Sequence, residues 1–387
     1  MIKEELANIL NNVYGSSEES IRYFQAPGRV NLIGEHIDYN GGYVFPAAID
    51  KVSTVAVRKR KDDIIKLYAT DLGYVVEADM NSLEQYKDLK WGNYQLGVID
   101  QILKKGIKVK GAEFIFDDKV PLGSGLSSSA AIEVVTAYAM LQLYGHKTDK
   151  MDIALLCQKA EHEYVGVKCG IMDQFASAMG LKDHAMLLDC NSLEYEYIPI
   201  KLDDYSIVIS NTNKKRSLGS SMYNKRRAEC EQALADMQKK FPDKLNLCDF
   251  TYKEFLSCAD DITDADCRKR AEHAVCENLR VLDSVKALKK GDIYSFCKYL
   301  NLSHISLRDL YEVSCKELDV LVESAWMQKD VLGSRMTGAG FGGCTVSIVK
   351  KQSVKDFIED IGRVYQEVIG YNASFYICEI SDGVKEI

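Results

Sequence analysis

The segment RVNLIGEHIDYNGG, which begins at Arg29, concentrates side chains that can hydrogen-bond a small polar ligand. Arg29, Glu35, His36 and Asp38 stand among apolar residues ahead of a glycine turn. Together they supply the donors and acceptors that a ligand rich in hydroxyl groups, such as a sugar, requires. A metal site on His36 and Asp38 would lack a third ligand nearby in the chain. A salt-bridged turn ahead of a hairpin is the structural alternative.

A second segment, PLGSGLSSSAA at residues 121–131, predicts a binding site for phosphate. Gly123 and Gly125 permit backbone turns that bring N–H groups close to an anion. The three serines that follow stand where a helix begins, at the positive end of its dipole. The segment is not a Walker A loop, because that motif requires a lysine after its second glycine. A serine-capped helix start behind a glycine turn would explain the pattern without a ligand.

Oxygen-bearing side chains near this segment are candidates for holding Mg²⁺ beside a phosphate. A serine hydroxyl at the end of such a loop commonly assists this ion, which prefers oxygen ligands and keeps several waters. Glu161, within QKAEHEY, is a candidate to complete the ligand set. It is not part of a metalloprotease motif, since Gly166 occupies the place of the second histidine. A solvated position on a helix is the alternative for Glu161.

A third glycine-rich segment, TGAGFGGC at residues 337–344, contains the spacing G-x-G-x-x-G. The dinucleotide fingerprint of that form must lead directly into a helix. Here the following residues CTVSIVK alternate as a strand does, so we reject the dinucleotide interpretation. Two interpretations remain, a tight β-turn and a loop that flanks an active site.

Asp173 opens a helical and largely apolar pattern within KCGIMDQFASAMG. A carboxylate at a helix N-terminus is stabilised by the helix dipole, which explains the residue without a ligand. From the residues alone this structural explanation is preferred.

The elements that must position these residues follow from apolar periodicity. Strands are predicted at 21–26, 43–49, 54–59, 64–69, 74–78, 112–117, 205–211, 344–349 and 374–380. Helices are predicted at 93–105, 128–143, 151–165 and 354–368, and the region 222–327 should be largely helical. Several strands follow one another too closely for crossover helices, so the sequence favours an α+β fold.

Length and composition limit the remaining possibilities. The chain has 387 residues, enough for two domains, and we place the boundary between residues 1–200 and 201–387. A formal net charge of -8 argues against a nucleic-acid surface, and no apolar run is long enough to cross a membrane. The N-terminus lacks a secretory signal, so a cytoplasmic location is expected. The 12 cysteines form no C-x-x-C pair, which favours free, buried thiols.

Taken together and in order, the three segments resemble the three signatures of the GHMP sugar and metabolite kinases. RVNLIGEHIDYNGG is similar to the galactokinase signature, and GIMDQ and NTNKKRSLGSSMYNKRRAEC also look like that family. The resemblance extends from about Ile21 to Ile380. It implies a two-domain GHMP kinase fold with the active site between the domains. The first domain would be of the ribosomal-protein-S5-domain-2-like α+β type, and the second a ferredoxin-like α/β domain.

The resemblance also implies roles for individual residues. Asp173 matches the catalytic base that accepts the proton of the sugar C1 hydroxyl, and Arg29 matches its partner cation. The positions that match sugar ligands are Glu35, His36, Ile37, Asp38, Gly170, Asp173 and Tyr223. The positions that match the ATP phosphate loop are Gly123, Ser124, Gly125, Leu126, Ser127, Ser128 and Ser129. Ser129 and Glu161 match the Mg²⁺ positions.

The implied activity is phosphoryl transfer from ATP to galactose in galactose metabolism, by a monomer without nucleic-acid or membrane partners. Ile37 departs from the family, whose members usually carry threonine there, whereas N-acetylgalactosamine kinases carry isoleucine. N-acetylgalactosamine kinase activity is therefore one alternative, and a regulator that senses sugar and ATP without catalysis is another. The intact SSSAA run, with Arg29 and Asp173 both present, favours an enzyme.

Overall fold

The computed structural model describes residues 1–121, 125–214 and 219–387. Its strands are β1 (Arg22–Asn31), β2 (Tyr43–Val44), β3 (Pro46–Lys59), β4 (Ile64–Ala69), β5 (Val75–Asp79), β6 (Ala112–Asp118), β7 (His184–Asp189), β8 (Tyr195–Pro199), β9 (Tyr205–Asn211), β10 (Val331–Thr337), β11 (Cys344–Lys350), β12 (Ser374–Cys378) and β13 (Lys385–Glu386). Its helices are α1 (Lys3–Tyr14), α2 (Gly92–Lys104), α3 (Ser128–Leu143), α4 (Lys150–Ala160), α5 (Met172–Met179), α6 (Gly219–Gln238), α7 (Tyr252–Cys258), α8 (Ala265–Lys289), α9 (Ile293–Asp309), α10 (Lys316–Trp326) and α11 (Val354–Ile369).

The first sheet has the strand order β13-β1-β3-β6-β4-β5 within the described ranges. All its neighbouring strands are antiparallel except β4 and β6, which are parallel. The helix α3 packs against β1 and β3, and its apolar residues are buried around most of its circumference. The sheet therefore fixes the end of β1 next to the N-terminus of α3.

The second sheet is antiparallel, with the order β10-β11-β9-β12 among the described residues. The amphipathic helix α11 buries Val354, Phe357, Ile361 and Tyr365, which recur at helical spacing, in one apolar cluster with β9 and β11. The helix α9 packs against β10. The end of the chain returns to the first sheet, where β13 pairs with β1.

The predicted α+β class is confirmed by this mixture of helices and largely antiparallel sheets. The division into residues 1–200 and 201–387 falls between β8 and β9 and stays a prediction. The largely helical character of 222–327 is confirmed by α6 to α10. All twelve cysteines are free thiols, and eight of them are buried, whereas Cys169, Cys190, Cys276 and Cys315 are partly exposed.

Several predicted elements were wrong in extent, and the strand predicted at 21–26 continues to Asn31 in β1. The separate strands at 43–49 and 54–59 are largely one continuous β3, because β3 pairs with β1 on both sides of a bulge at residues 49–51. The polar pair Asp50–Lys51 interrupts the apolar pattern close to a shift in that pairing between Pro27 and Arg29. The helix predicted at 151–165 ends at Ala160 and continues as a π-helical turn, which Gly166 terminates with a φ of 87°.

No helix in the part of the chain that the structure describes is both long and apolar enough to span a membrane.

Candidate active site

A cavity of about 710 Å³ collects most of the residues predicted from the three segments. Its walls come from β1, from the loop after β1, from α3, α5 and α6, and from the loop after β10. Elements on both sides of residue 200 therefore contribute to it. The predicted residues that line it are Arg29, Glu35, His36, Asp38, Ser129, Glu161, Gly170, Asp173 and Tyr223.

Arg29, near the end of β1, holds Asp173 in the first turn of α5. Its Nε and Nη2 lie 2.8 and 2.6 Å from the same oxygen, Oδ1 of Asp173. Its Nη1 donates to the carbonyl of Gly125 at 2.6 Å. The Ser127 hydroxyl donates to the other oxygen of Asp173. Asp173 thus combines an ion pair with a side chain that is still 31% exposed to the cavity.

Glu35 is buried and is held by the strand β10 and the loop that follows it. Its Oε1 accepts hydrogen bonds from the Gly338 backbone N–H at 2.7 Å and the Thr337 hydroxyl at 3.1 Å. The guanidinium of Arg335 lies 3.4 Å from the same oxygen. These contacts hold the Oε1 side of the carboxylate, and Glu35 also lines the cavity.

His36 uses both ring nitrogens within the protein. Its Nδ1 lies 2.8 Å from the Tyr39 hydroxyl and its Nε2 lies 3.1 Å from the Ala339 carbonyl. Burial, followed by the charge of His273, lowers the pKa of His36 to about 3. The neutral ring therefore connects the loop after β1 with the loop after β10.

Asp38 lies against Gly170, at a place where no side chain would fit. A methyl group on Gly170 would overlap the Asp38 carboxylate. Burial, together with the charges of Asp173 and Glu35, raises the pKa of Asp38 to about 7. No lysine or arginine of the described ranges forms an ion pair with Asp38.

Glu161 lies at the beginning of the π-helical turn and belongs to a group of buried polar side chains. Gln174 Nε2 donates to Glu161 and to Glu133, at 3.1 Å in each case. Burial and then the charge of Asp173 raise the pKa of Glu161 to about 7, while hydrogen bonds from Cys169 and Ser129 act in the opposite direction. The Ser129 hydroxyl and the Glu161 carboxylate thus face the cavity side by side.

The three serines of the predicted phosphate loop point to different partners. Ser127, with a φ of 59°, donates to Asp173, and Ser129 faces the cavity. Ser128 donates to Asp118 at 2.6 Å, where burial raises the pKa of the carboxyl to about 6. Leu126 is buried, and its carbonyl accepts from the Arg29 N–H at 3.0 Å. Of the predicted loop, Gly123 and Ser124 lie outside the described residues.

Ile37 does not join the cavity lining. Its side chain is fully buried in the main apolar core and packs beside Gly42. Neighbours on both sides, His36 and Asp38, line the cavity, because the loop turns between them. The structure therefore separates the Ile37 side chain from the group of predicted ligands.

Sequence reasoning missed several residues of this region. Tyr39 and Asn224 line the cavity, and Glu133, Gln174 and Arg335 support the residues that do. Glu133 had a visible signal, since it is a single carboxylate in a helix that is otherwise almost entirely apolar. Arg335 had none, because an arginine in a strand pattern is ordinarily exposed. The loop at 338–340 lines the cavity, as expected from the second interpretation of that glycine segment.

Comparison with known proteins finds relatives along the whole chain. Residues 10–59 match the galactokinase galactose-binding signature, residues 93–181 the GHMP kinases N terminal domain, and residues 284–367 the GHMP kinases C terminal domain. A galactokinase of Fusobacterium nucleatum is 48% identical over 388 residues, which cover 99% of both chains. The chain belongs to the galactokinase family. A galactokinase of Bacillus subtilis is 43% identical and covers 100% of this chain and 99% of its own.

Solved structures extend this result to the fold of the family. The Lactococcus lactis galactokinase complexed with galactose superposes with a TM-score of 0.96, at 43% identity and with 100% of both chains covered. A mevalonate kinase superposes with a TM-score of 0.67 at 20% identity, covering 93% of this chain and 99% of its own. The second likeness supports the GHMP kinase fold alone. This member of the galactokinase family therefore has the two-domain fold expected from its three segments.

Proposed function

We propose that this chain transfers the γ-phosphoryl group of ATP to the C1 hydroxyl of α-D-galactose, giving galactose 1-phosphate and ADP. One observation carries the proposal: Asp173 and Arg29 share one cavity with Glu35, His36 and Asp38 and with Ser129 and Glu161. A polar ligand and a phosphate group can therefore meet next to one carboxylate. Phosphoryl transfer depends mainly on such positioning and on charge stabilisation.

In this proposal Asp173 accepts the proton of the C1 hydroxyl. Arg29 and Ser127 orient its two oxygens, each of which keeps a further lone pair for the sugar hydroxyl. Arg29 also lies where it can stabilise negative charge on the group in transfer. Glu35, Asp38 and Tyr223 bind the sugar hydroxyls, and Gly170 leaves the space that Asp38 occupies.

The phosphates of ATP are assigned to the N-terminus of α3. Ser129 lines the cavity there, and Ser127 contacts Asp173 beside it. The first N–H groups of a helix lack intrahelical partners, and they lie at the positive end of its dipole. We assign Gly123 and Ser124 to the same loop by resemblance to the family.

Ser129 and Glu161 fit a role in holding Mg²⁺. Both present oxygen atoms to the cavity side by side. Within the described ranges no group of three or more His, Cys, Asp or Glu side chains could hold a metal. That suits an ion which is usually bound by one or two carboxylates together with substrate phosphates and water. When bound, Mg²⁺ neutralises phosphate charge.

We further propose that the protein is a cytoplasmic monomer whose partners are galactose and ATP, without nucleic acid. The net charge of -8 supports the last point.

The decisive experiment measures ADP release by the purified chain, with ATP, Mg²⁺ and one acceptor at a time: galactose, N-acetylgalactosamine, arabinose or mevalonate. Release with galactose well above the other acceptors is expected. Faster release with N-acetylgalactosamine would contradict the proposed substrate. Binding of galactose and ATP without ADP release from any acceptor would indicate a sensor instead of a kinase.

A further inference from the structure

Arg335 is a buried arginine that the proposed reaction does not use. It lies on β10 and is fully buried, although it does not line the cavity. Its Nη1 donates to the carbonyls of Asn31 and Leu32, at 3.1 and 3.0 Å, where β1 passes into the sugar loop. Its Nη2 lies 3.4 Å from Oε1 of Glu35. A single guanidinium therefore contacts the backbone before Glu35 and the carboxylate of Glu35.

The neighbouring residues of β10 approach the same carboxylate. Thr337 lies two residues after Arg335, so both side chains point to one side of the strand. The Thr337 hydroxyl is 3.0 Å from the Asn31 carbonyl and 3.1 Å from Glu35 Oε1, and the Gly338 N–H donates to that oxygen at 2.7 Å. Arg335, Thr337 and Gly338 thus all contact the same oxygen, Oε1. Among the described residues, no hydrogen-bond donor contacts Oε2, which leaves this oxygen for the cavity.

The negative charge of Glu35 also requires a nearby cation, and Arg335 supplies it. The Glu35 side chain is 3% exposed, and a buried carboxylate is costly unless a cation compensates it. Arg335 is the basic side chain within 4 Å of it in the described ranges. The nearby buried Glu277 has its own partner, Arg280, at 2.7 Å. The charge of Arg335 helps to lower the pKa of Glu277 at longer range, but in the described ranges the carboxylate within 4 Å of Arg335 is that of Glu35.

We propose that Arg335 is the positioning residue for sugar binding, which directs the free oxygen of Glu35 into the cavity from the opposite sheet. The proposal rests on the proposed function, because it assumes that Glu35 binds the sugar. A planar guanidinium can contact two carbonyls and a carboxylate at once, whereas a lysine ammonium is a compact point charge. The role therefore requires the shape of arginine as well as its charge.

The test compares Arg335→Met with wild type in the full chain. Galactose Kd by calorimetry and galactose KM should both rise about tenfold, while the KM for ATP stays within about twofold. Arg335→Lys should restore part of the galactose affinity. Unchanged galactose Kd in Arg335→Met would overturn the proposal, as would an equal rise in both KM values.

Arg58→Met is the matched control. Arg58 is also a buried strand arginine, and it pairs with Glu113 at 2.6 Å and donates to the Gly15 carbonyl at 2.7 Å, outside the cavity. The Arg58→Met substitution should lower the melting temperature and leave galactose KM unchanged. A rise in galactose KM as large as that of Arg335→Met would make the effect one of general stability and refute the positioning role.

Two further variants keep the test decisive if Arg335→Met does not fold. Thr337→Val keeps the volume and removes the hydroxyl, whose single proton is shared between the Asn31 carbonyl and Glu35 Oε1. Galactose Kd should therefore rise about threefold with ATP KM unchanged. In a Glu35→Gln background Thr337→Val should have little further effect, and effects that simply multiply would contradict the proposal. Absence of galactose-dependent ADP release in wild type would overturn the proposed function and this inference together. Normal wild-type release with unaffected variants would overturn the inference alone.

Discussion

Two arginine–carboxylate pairs each contribute an acid to the same cavity, and they differ in geometry. Arg29 approaches Asp173 at 2.6 Å, and the Asp173 side chain is 31% exposed. Arg335 stands 3.4 Å from Glu35, whose side chain is 3% exposed, and is itself completely buried. The first pair comes from β1 and α5, whereas the second joins β10 to the loop after β1.

The difference separates two uses of an arginine. A close pair at an exposed carboxylate leaves the acid within reach of a substrate and gives it a cation during the reaction. In the buried pair, Arg335 lies farther from its acid, and Glu35 is held in place by hydrogen bonds from the end of β10, the strand that carries Arg335. Asp38 is a third acid that faces the same cavity. It differs from Asp173 and Glu35 because no arginine or lysine of the described ranges pairs with it.

The largest effect is expected from Asp173→Asn, which tests the exposed pair. The amide keeps the shape but cannot accept the proton, so kcat should fall about 10³-fold or more. ATP affinity by calorimetry and the melting temperature should stay close to wild type. Near-normal turnover would remove Asp173 from the role of base and make the pair with Arg29 a structural one.

Gly170→Ala tests the unpaired acid through its packing. The added methyl group would overlap the Asp38 carboxylate and displace it. Galactose Kd should rise about 10- to 100-fold with ATP affinity unchanged, because a hydrogen bond to a charged group contributes about 1.5–3 kcal/mol. Gly362→Ala in α11 is the control, since its methyl group would meet only the Phe375 ring at 3.4 Å or more. Unchanged galactose affinity in Gly170→Ala would show that Asp38 does not bind the sugar.

The pH dependence of galactose binding tests whether the lack of an arginine matters at Asp38. Its raised pKa of about 7 means that the free protein binds this proton more tightly than the unfolded chain, whose reference value is 3.8. Its contribution to stability is therefore full below about pH 4 and is lost as pH rises to about 7. If the ionised form binds galactose, affinity without ATP should fall about tenfold from pH 8 to pH 6. The variant Asp38→Asn should remove this pH dependence. A wild-type affinity that is equal at pH 8 and pH 6 would contradict the prediction that ionised Asp38 binds galactose.

The smallest effect on sugar binding is expected from Ile37→Thr. In sequence Ile37 lies between the cavity residues His36 and Asp38, but it does not line the cavity itself. Its side chain is buried in the core, so a threonine there should lower the melting temperature through its buried hydroxyl. Galactose KM should stay within about twofold, and discrimination against N-acetylgalactosamine should not change. Ile33→Thr, at another fully buried position, is the control for stability. A switch in sugar preference would show that Ile37 acts on the cavity through its neighbours.

Much of the fold could be predicted, because strong apolar periodicity survives in the final structure. The bounds of α3 and β9 agree with the prediction to the residue. Predictions were less accurate where a local signal competed with tertiary pairing. Asp50 and Lys51 suggested a break in β3, yet β3 stays paired with β1 on both sides of them.

The sequence by itself determined which residues could do chemistry, since Arg29, Asp173 and the serine segment are recognised by type and order. It also determined the family, because three spaced segments agree at once. Tertiary structure alone decided the direction of each side chain: Ser127, Ser128 and Ser129 are consecutive but face three different surroundings, and Ile37 turns into the core between two cavity residues. It also revealed Arg335, because a contact between Arg335 and Glu35 joins residues 300 positions apart that only the packing of the two sheets brings together.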